Sequence, residues 1–600
     1  MSAAPAPAPG RDEPPAALGV VRSVSGQRWR WRDGAEEATD RPDDLVSRIL
    51  LARGALREAI DDWRTPTIRS FMPDPAEFDD MEAAAERLAH AVWRGERVCI
   101  FGDYDVDGAT SAALMIRLLR QLGVSADAYI PDRLLEGYGP SADALVALKA
   151  RGYDLVVTVD CGAQAFEALA AARDVGLEVV VVDHHQCSTE LPHAHALVNP
   201  NRLDGGAVAR AHGHLAAVGV AFLLGAALVR RLRGEGYFAD RPAPDLMSLL
   251  DLVALGTVAD VAKLTGLNRA FVAQGLKVMA RRQNIGLAAL ADASRMSAAP
   301  GAHELGFALG PRINAGGRVG AADLGVRLLT TEDPAEARAI AAELDRLNEE
   351  RRAVEAGVLD DAHAAAALCA NASVAVVAGA GWHPGVIGIV AGRLKEKLGL
   401  PAIVVALGED GTGKGSGRSI AGVDLGKAVI AARDEGLLLA GGGHAMAAGL
   451  TVAPGGVAPL TEYLCERLGE DVRDACANRA LSLDALLSPR GVCGAFAEAI
   501  AAGGPYGHGW PQVRVAAGPV RLIKADVVGA NGDHLRIVAS GDDGGSFKAV
   551  AFRAVDTPLG QALLGAKPGS RWWLAGRIKR DDWGGGDRAE MHLDDAAAAD

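Results

Sequence analysis

The chain has 600 residues, 49% hydrophobic and 23% charged, an ordinary globular composition long enough for three or four domains. Its 62 Lys and Arg against 76 Asp and Glu leave a net charge of −14, which excludes a uniformly basic nucleic-acid binder; any polyanion must meet a local basic groove. Seven scattered cysteines with no CxxC pair exclude a disulfide framework and a thiolate zinc site.

The amino end lacks a basic segment followed by an apolar one, so no secretory signal is expected. The longest apolar run, Leu215–Val229, is too short to span a bilayer and reads as a buried helix. Together these point to a reduced, cytoplasmic protein without a membrane segment. Residues 1–16 form an Ala/Pro-rich tail, and 1–44 as a whole is expected to be disordered or extended. Helical periodicity over Asp43–Ile60 and Met81–Trp93, broken by Pro73 and Pro75, leads to the first strand.

From Val98 to about Val182 strands and helices alternate. Val98–Phe101, Ala126–Ile130, Asp154–Val159 and Leu177–Val182 read as strands, and Ala109–Leu122, Ser141–Ala150 and Gln164–Asp174 as helices. That alternation predicts a parallel sheet covered by helices, with ligands outside the carboxyl ends of the strands. Acidic clusters stand at three of those ends: Asp103/Asp105/Asp107, Asp160-Cys161-Gly162 and Asp183-His184-His185. After a loop at 186–213, helices are expected over Leu215–Arg233 and Pro244–Leu255, and Asp260 closes an otherwise apolar stretch. Glu332–Ala367, rich in Ala, Glu, Arg and Leu, reads as a long connecting helix with a solvated charged face.

A second α/β unit follows, with strands Val374–Ala378 and Ala402–Leu407 around the helix Pro384–Leu398. It carries two glycine-rich stretches, 411–419 and 441–449. From about Val513 five short strands (Val513–Ala516, Val520–Asp526, His534–Ser540, Phe547–Phe552 and Arg571–Ile578) suit a small barrel, with a loose tail beyond Asp581. The domain boundaries drawn from this pattern are 1–44, 45–275, 276–370, 371–470 and 471–600.

Carboxylates crowded at strand ends repel one another, and burial without a counter-charge is costly. A set of carboxylates with one or two imidazoles and no thiolate favours Mn²⁺ or Mg²⁺. More acids than one ion needs suggest two ions, the arrangement that supports in-line phosphoryl displacement. The competing readings are helix caps for Asp107 and Asp260 and capping or core imidazoles for His184 and His185. Gly415–Ser419 has the makings of an anion nest, with Ser416 and Arg418 as side-chain donors; the competing reading is a hairpin turn. Arg312 and Arg318 within 311–318, and Arg133 within 132–139, are further phosphate candidates. In the last domain Phe547, Phe552, Trp572 and Trp573 alternate with Arg536, Lys548, Arg553, Arg571 and Arg577, a pattern that suits single-strand stacking. Phe552 and one tryptophan are expected to be barrel core instead.

The stretches Gly102–Gly108, Asp160–Gly162, Asp183–His185 and Gly256–Asp260 resemble the four motifs of the DHH phosphoesterase superfamily. Gly381–Gly388, Gly415–Ser419 and Gly442–Gly449 resemble its DHHA1 domain. With Arg312–Arg318 and an OB-like end, residues 45–580 closely resemble the RecJ family of bacterial single-strand-specific exonucleases. The resemblance implies a parallel-sheet DHH domain, a long helix, a smaller α/β DHHA1 domain and a C-terminal OB-like β-barrel. It implies a 5′→3′ exonuclease that releases mononucleotides from single-stranded DNA with a free 5′ end, in DNA repair and recombination. By the same resemblance, Asp103, Asp105, Asp160, His184 and Asp260 would hold two Mn²⁺ or Mg²⁺, with Asp160 bridging. His185 would meet the scissile phosphate, and Asp107 would be a ligand or a support. Ser416, Arg418 and Arg133 would grip the 5′ phosphate, and His383, Arg312, Arg318 and His444 would line the cleft. A single-strand-binding protein and a RecQ-type helicase are the implied partners of a monomer. Two positions depart from the pattern: Gly316 stands where many relatives have Ala, and Cys99 where some superfamily members have a ligating His. A small-molecule phosphodiesterase of the same superfamily would be much shorter, and a scaffold that has lost its ligands would not keep every acid.

Overall fold

Apolar runs buried on both faces build the central sheet. In the computed structural model, which describes residues 15–32, 42–132, 136–367, 372–581 and 588–599, five strands form it. They are β1 (Val98–Gly102), β2 (Ala126–Tyr129), β3 (Leu155–Val159), β4 (Glu178–Val182) and β5 (Ala196–Val198), all parallel, in the order β2-β1-β3-β4-β5. Every residue of β1 and β3 is buried, which is why both read as continuous apolar runs rather than alternating ones. Cys99 and Phe101 of β1 join Val156 and Val181 in a core capped by Leu145, Leu148 and Leu169 from helices Ala142–Ala150 and Phe166–Asp174. Cys99 is therefore a core residue, and burial pushes its thiol up to about 12. Helices Val106–Gln121 and Ala217–Gly234 pack against the sheet as well. The strand order reverses between β1 and β3, so the crevice at their carboxyl ends is the switch point where such sheets bind ligands.

The expected loop 186–213 holds β5 and a short helix, Ala207–Ala211. The helix Pro334–Ala367 runs for 34 residues. Its charges are not all solvated as expected: Arg351 and Glu355 are buried and paired at 2.8 Å, Arg351 also donates to Asn348, and Asp345 takes Arg312.

The smaller sheet comprises β6 (Ala375–Ala380), β7 (Ala402–Leu407), β8 (Gly413–Arg418), β9 (Ala440–His444) and β10 (Ala447–Val452), in the order β9-β10-β8-β7-β6. The expected anion nest at 415–419 is instead the strand β8 and its end, laddered to β7 and β10, so its backbone N–H groups are committed to the sheet. Its glycines have a packing reason. A Cβ on Gly413 would come within 2.5 Å of Val405, on Gly415 within 2.5 Å of Leu450, and on Gly417 within 2.7 Å of Leu425. Lys414, Ser416 and Arg418 take the alternate face.

These elements belong to one compact unit, Pro66–Val472 with Pro505–Pro511; the other comprises Met1–Thr65, Arg473–Gly504 and Gln512–Asp600. The second unit is built on β11 (Val515–Val528), β12 (His534–Gly541), β13 (Ser546–Ala551), β14 (Arg571–Arg580) and β15 (Ala589–Ala598). They run β11-β12-β13-β15-β14, and β14 pairs back onto β11 to close the barrel. Three expectations are corrected here. The first two predicted strands are one bent strand, whose register slips between Ala517 and Val520. The supposed loose tail contains β15. The supposed N-terminal tail contributes the strand Arg28–Trp31, parallel to Ala480–Leu483, and helix Pro42–Ala52 also belongs to this unit. Trp29 is fully buried and donates to the buried carboxylate of Asp595 at 2.9 Å. Phe547 is core whereas Phe552 is 53% exposed, the reverse of what was expected for Phe552.

Candidate metal centre

Three elements that end at the switch point bring the acids together. The β1 end turns through Asp103 into helix Val106–Gln121, where Asp105 is the N-cap and accepts from the Gly108 N–H at 3.0 Å. At the β3 end Asp160 sits at φ 60°, a left-handed conformation strained for a non-glycine residue. Its N–H donates to the Val182 carbonyl at 3.0 Å, and the Tyr138 hydroxyl donates to its own carbonyl at 3.0 Å. At the β4 end stand Asp183, His184 and His185. Asp260 closes helix Leu250–Ala259.

Potential ligand atoms of Asp103, Asp105 and Asp160 lie within 4.8 Å of one another, as do those of Asp107, His184 and Asp260, and of Asp160, His184 and His185. Asp160 and His184 each belong to two of these groups, 3.2 Å apart. His184 Nδ1 meets the Leu215 carbonyl at 3.0 Å, which fixes the ring with Nε2 turned toward the acids. Asp107 has a second task. Its two oxygens accept from the N–H groups of Ala217 and Val218, at 2.7 and 2.9 Å, and so anchor helix Ala217–Gly234. A Cβ on Gly256 would fall 2.3 Å from Thr110 Oγ1 and 3.1 Å from Asp107 Oδ1, so only glycine lets the helices close beneath the site.

Electrostatics report the crowding. Burial, then Asp105, Asp107, Asp183 and Asp260, hold the Asp160 carboxyl well above the usual range. Burial, with Asp107 and Asp105, pushes Asp260 up to about 8. Burial likewise raises Asp107, against the pull of His184. Carboxylates forced together in this way, with imidazole and no thiolate in the donor set, fit a hard divalent cation, whose charge would remove the repulsion. Asp183 is different. Burial would raise it, but His185, the Ala163 N–H and His184 outweigh that and bring it down to about 2. It accepts from the N–H groups of Ala163, His184 and His185 and from His185 Nδ1 at 2.7 Å.

Ser416 and Arg418 lie together, 3.2 Å from Oγ to Nη1, close to Gly388. Burial lowers the Arg418 pKa, and nearby Arg318 lowers it further, as expected of cations gathered without an anion. Arg318 donates to the Gly385 carbonyl, and His383 accepts from the Gly385 N–H. Arg312 is occupied by Asp345 and the Ala308 carbonyl. His444 lines a cleft of about 800 Å³ with Tyr138 and His185. Arg133 lies outside the described residues.

Sequence reasoning assigned no role to several supports: Asp183, Tyr138, and the amides of Asn199 and Asn201, which hold the His185 and His184 carbonyls at 2.9 and 2.6 Å. The only signal was their place within or just after the motifs.

Residues 97–257 match the DHH family N-terminal domain, 371–470 the DHHA1 domain and 483–595 the RecJ OB domain. The single-stranded-DNA-specific exonuclease RecJ of Escherichia coli is 37% identical over 88% of this chain and 92% of its own length. That of Dickeya dadantii is 38% identical over 87% and 91%. The Bacillus subtilis protein is 35% identical over 88% of this chain, which spans 64% of it. RecJ from Thermus thermophilus in complex with Mn²⁺ superposes with a TM-score of 0.73 at 30% identity, covering 93% of this chain and 76% of that one. Its complex with Mg²⁺ gives 0.67 at 29%, covering 93% and 75%. With the same three domains in the same order and an acid–imidazole cluster at the switch point of its sheet, the chain belongs to the RecJ family.

Proposed function

We propose that the chain is a 5′→3′ exonuclease that hydrolyses single-stranded DNA to mononucleotides. The observation that carries the reading is the sharing of Asp160 and His184 between overlapping ligand groups, the arrangement that two neighbouring cations require. Asp103, Asp105, Asp160, His184 and Asp260 would hold them, with Asp107 at the edge of the set. When bound, two divalent ions supply Lewis acidity and a water poised to lose its proton, so no Ser or Cys nucleophile is needed. His185, its Nδ1 held by Asp183, offers Nε2 to an oxygen of the scissile phosphodiester. Ser416 Oγ and the Arg418 guanidinium, with Arg318 beside them, form a donor pair for a terminal 5′ phosphate and so would set polarity. Arg133, His383, Arg312 and His444 complete the proposed substrate contacts, Arg312 through Asp345 rather than as a free cation. The OB-like barrel, with Phe552 on its surface, suits the trailing strand.

A cytoplasmic monomer acting in repair and recombination, with a single-strand-binding protein and a RecQ-type helicase, accords with this chemistry. Among the described residues no helix is long and apolar enough to cross a membrane. Digestion of end-labelled single-stranded and duplex DNA, with Mn²⁺ or with chelator, tests the proposal. Mononucleotides released from the 5′ end of single strands only, and only with metal, are expected. Internal cleavage, or digestion from the 3′ end, would refute it.

A further inference from the structure

A second polar cleft, of about 480 Å³, adjoins the metal centre on the side of His184 and Asp260. Its volume is within the range of about 300–1,000 Å³ usual for small-ligand sites. Its other walls bring Arg210, His214, Lys263 and His508 together from three separate parts of the chain. In a molecule of net charge −14 this is a local concentration of cations. Among the described residues neither Arg210 nor Lys263 has a carboxylate partner; Arg210 donates only to the Gly205 carbonyl, at 2.7 Å. The nearest acid in the lining is Asp260, which belongs to the metal set.

The cleft is built rather than incidental. Asn268, fully buried, donates to the backbone carbonyls of both His214 and Lys263, at 2.7 and 3.1 Å, and so ties the two walls together. His508 arrives on Pro505–Pro511, a segment that belongs to the catalytic unit although the chain on both sides of it belongs to the other. That segment is pinned at several points. The Leu264 N–H donates to the His508 carbonyl and His508 Nδ1 meets the Val261 carbonyl, both at 2.7 Å. A Cβ on Gly509 would come within 2.9 Å of the Lys263 side chain, and Arg269 lies 4.8 Å over the Trp510 ring.

We propose that this cleft is a phosphate subsite for the retained strand: Arg210 and Lys263 bind the phosphodiester one step 3′ of the scissile bond, with His508 closing the wall. The inference rests on the nuclease reading above. A strand whose terminal phosphate is held at Ser416 and Arg418 and whose scissile phosphate is at the acids must continue past them. The cleft beside Asp260 and His184 offers its next phosphate a cationic wall.

Substrate length provides the test. A 5′-phosphorylated dinucleotide has no phosphate beyond the scissile one, whereas a trinucleotide has one. For the wild type kcat/KM should rise between the two, and in the Arg210→Ala/Lys263→Ala double variant that ratio should fall roughly tenfold, mainly through KM. In chelator, anisotropy of a labelled single strand should show a salt slope reduced by about one to one and a half. An unchanged ratio, or an equal loss on both substrates, would overturn the subsite. Loss of inhibition by a deoxynucleoside monophosphate with unchanged strand affinity would also overturn it, in favour of a product site. If the wild type hydrolyses neither substrate, it is the nuclease reading that fails.

Discussion

Asp183→Asn isolates the support of the two histidines from the ligands themselves. The carboxylate is buried and takes four hydrogen bonds, three from the turn it shares with His184 and His185 and one from Ala163. Its pKa lies at about 2 against an ordinary 3.8. At about 1.4 kcal/mol per unit, the ionised form gains about 2 kcal/mol from the fold. Because the folded value is the lower one, that stability is present above pH 3.8 and is lost as pH falls through about 2. Asparagine keeps the shape but loses the charge and turns one acceptor into a donor facing an N–H. If the lost energy appears at the transition state, turnover falls by a factor of about 30, within the 10–100-fold usual for residues behind metal ligands. Steady-state digestion of a 5′-phosphorylated oligonucleotide at saturating Mn²⁺ measures the effect, with circular dichroism confirming the fold. Wild-type turnover in a folded Asp183→Asn protein would refute the claim that this carboxylate orients His185.

Arg418→Ala should raise KM for 5′-phosphorylated strands by about 10–100-fold and change KM for 5′-hydroxyl strands far less, since a hydrogen bond to a charged group is worth about 1.5–3 kcal/mol; parallel kinetics on the two substrates check it. Trp29→Ala should destabilise the barrel unit by about 3–5 kcal/mol, because it empties a fully buried site and strands the Asp595 carboxylate; denaturant unfolding followed by barrel fluorescence reads it. Burial pushes Asp251 up to about 6, so its ionisation opposes folding and stability falls as pH rises from about 4 to 6. Asp251→Asn should remove that fall, worth about 3 kcal/mol at pH 7, and raise Tm there; thermal melts across the pH range test the sign.

The acids of the candidate site were legible because the physics that buries β1, β3 and β4 also writes them as unbroken apolar runs. A carboxylate at the end of such a run is conspicuous. What the carboxylates do was less legible. Asp107 and Asp183 look alike in sequence to Asp105 and Asp160, yet one anchors a helix more than a hundred residues away and the other holds two imidazoles. Such tasks depend on tertiary partners. The strand β5, at Ala196–Val198, is too short to show a period. β8 read as a nest because its glycines suggest turns, although their cause is the bulk of Val405, Leu425 and Leu450 behind them. β15 was hidden by Asp and Ala, and is stabilised by pairing with β14 and β13 and by the bond from Asp595 to Trp29. Phe547 and Phe552 exchanged expected places because Phe547 lies inside β13, whereas Phe552 follows its end and packs edge-on to His534 and His592.

The account turns on Asp160 being held in common by two cations. Titration of the protein with Mn²⁺, followed by calorimetry and electron paramagnetic resonance, examines that sharing directly. Two ions per chain with a spin-coupled signal, replaced in Asp160→Ala by at most one uncoupled ion and no digestion of single strands, is the predicted result. A folded Asp160→Ala protein that keeps both ions and its nuclease activity would contradict it.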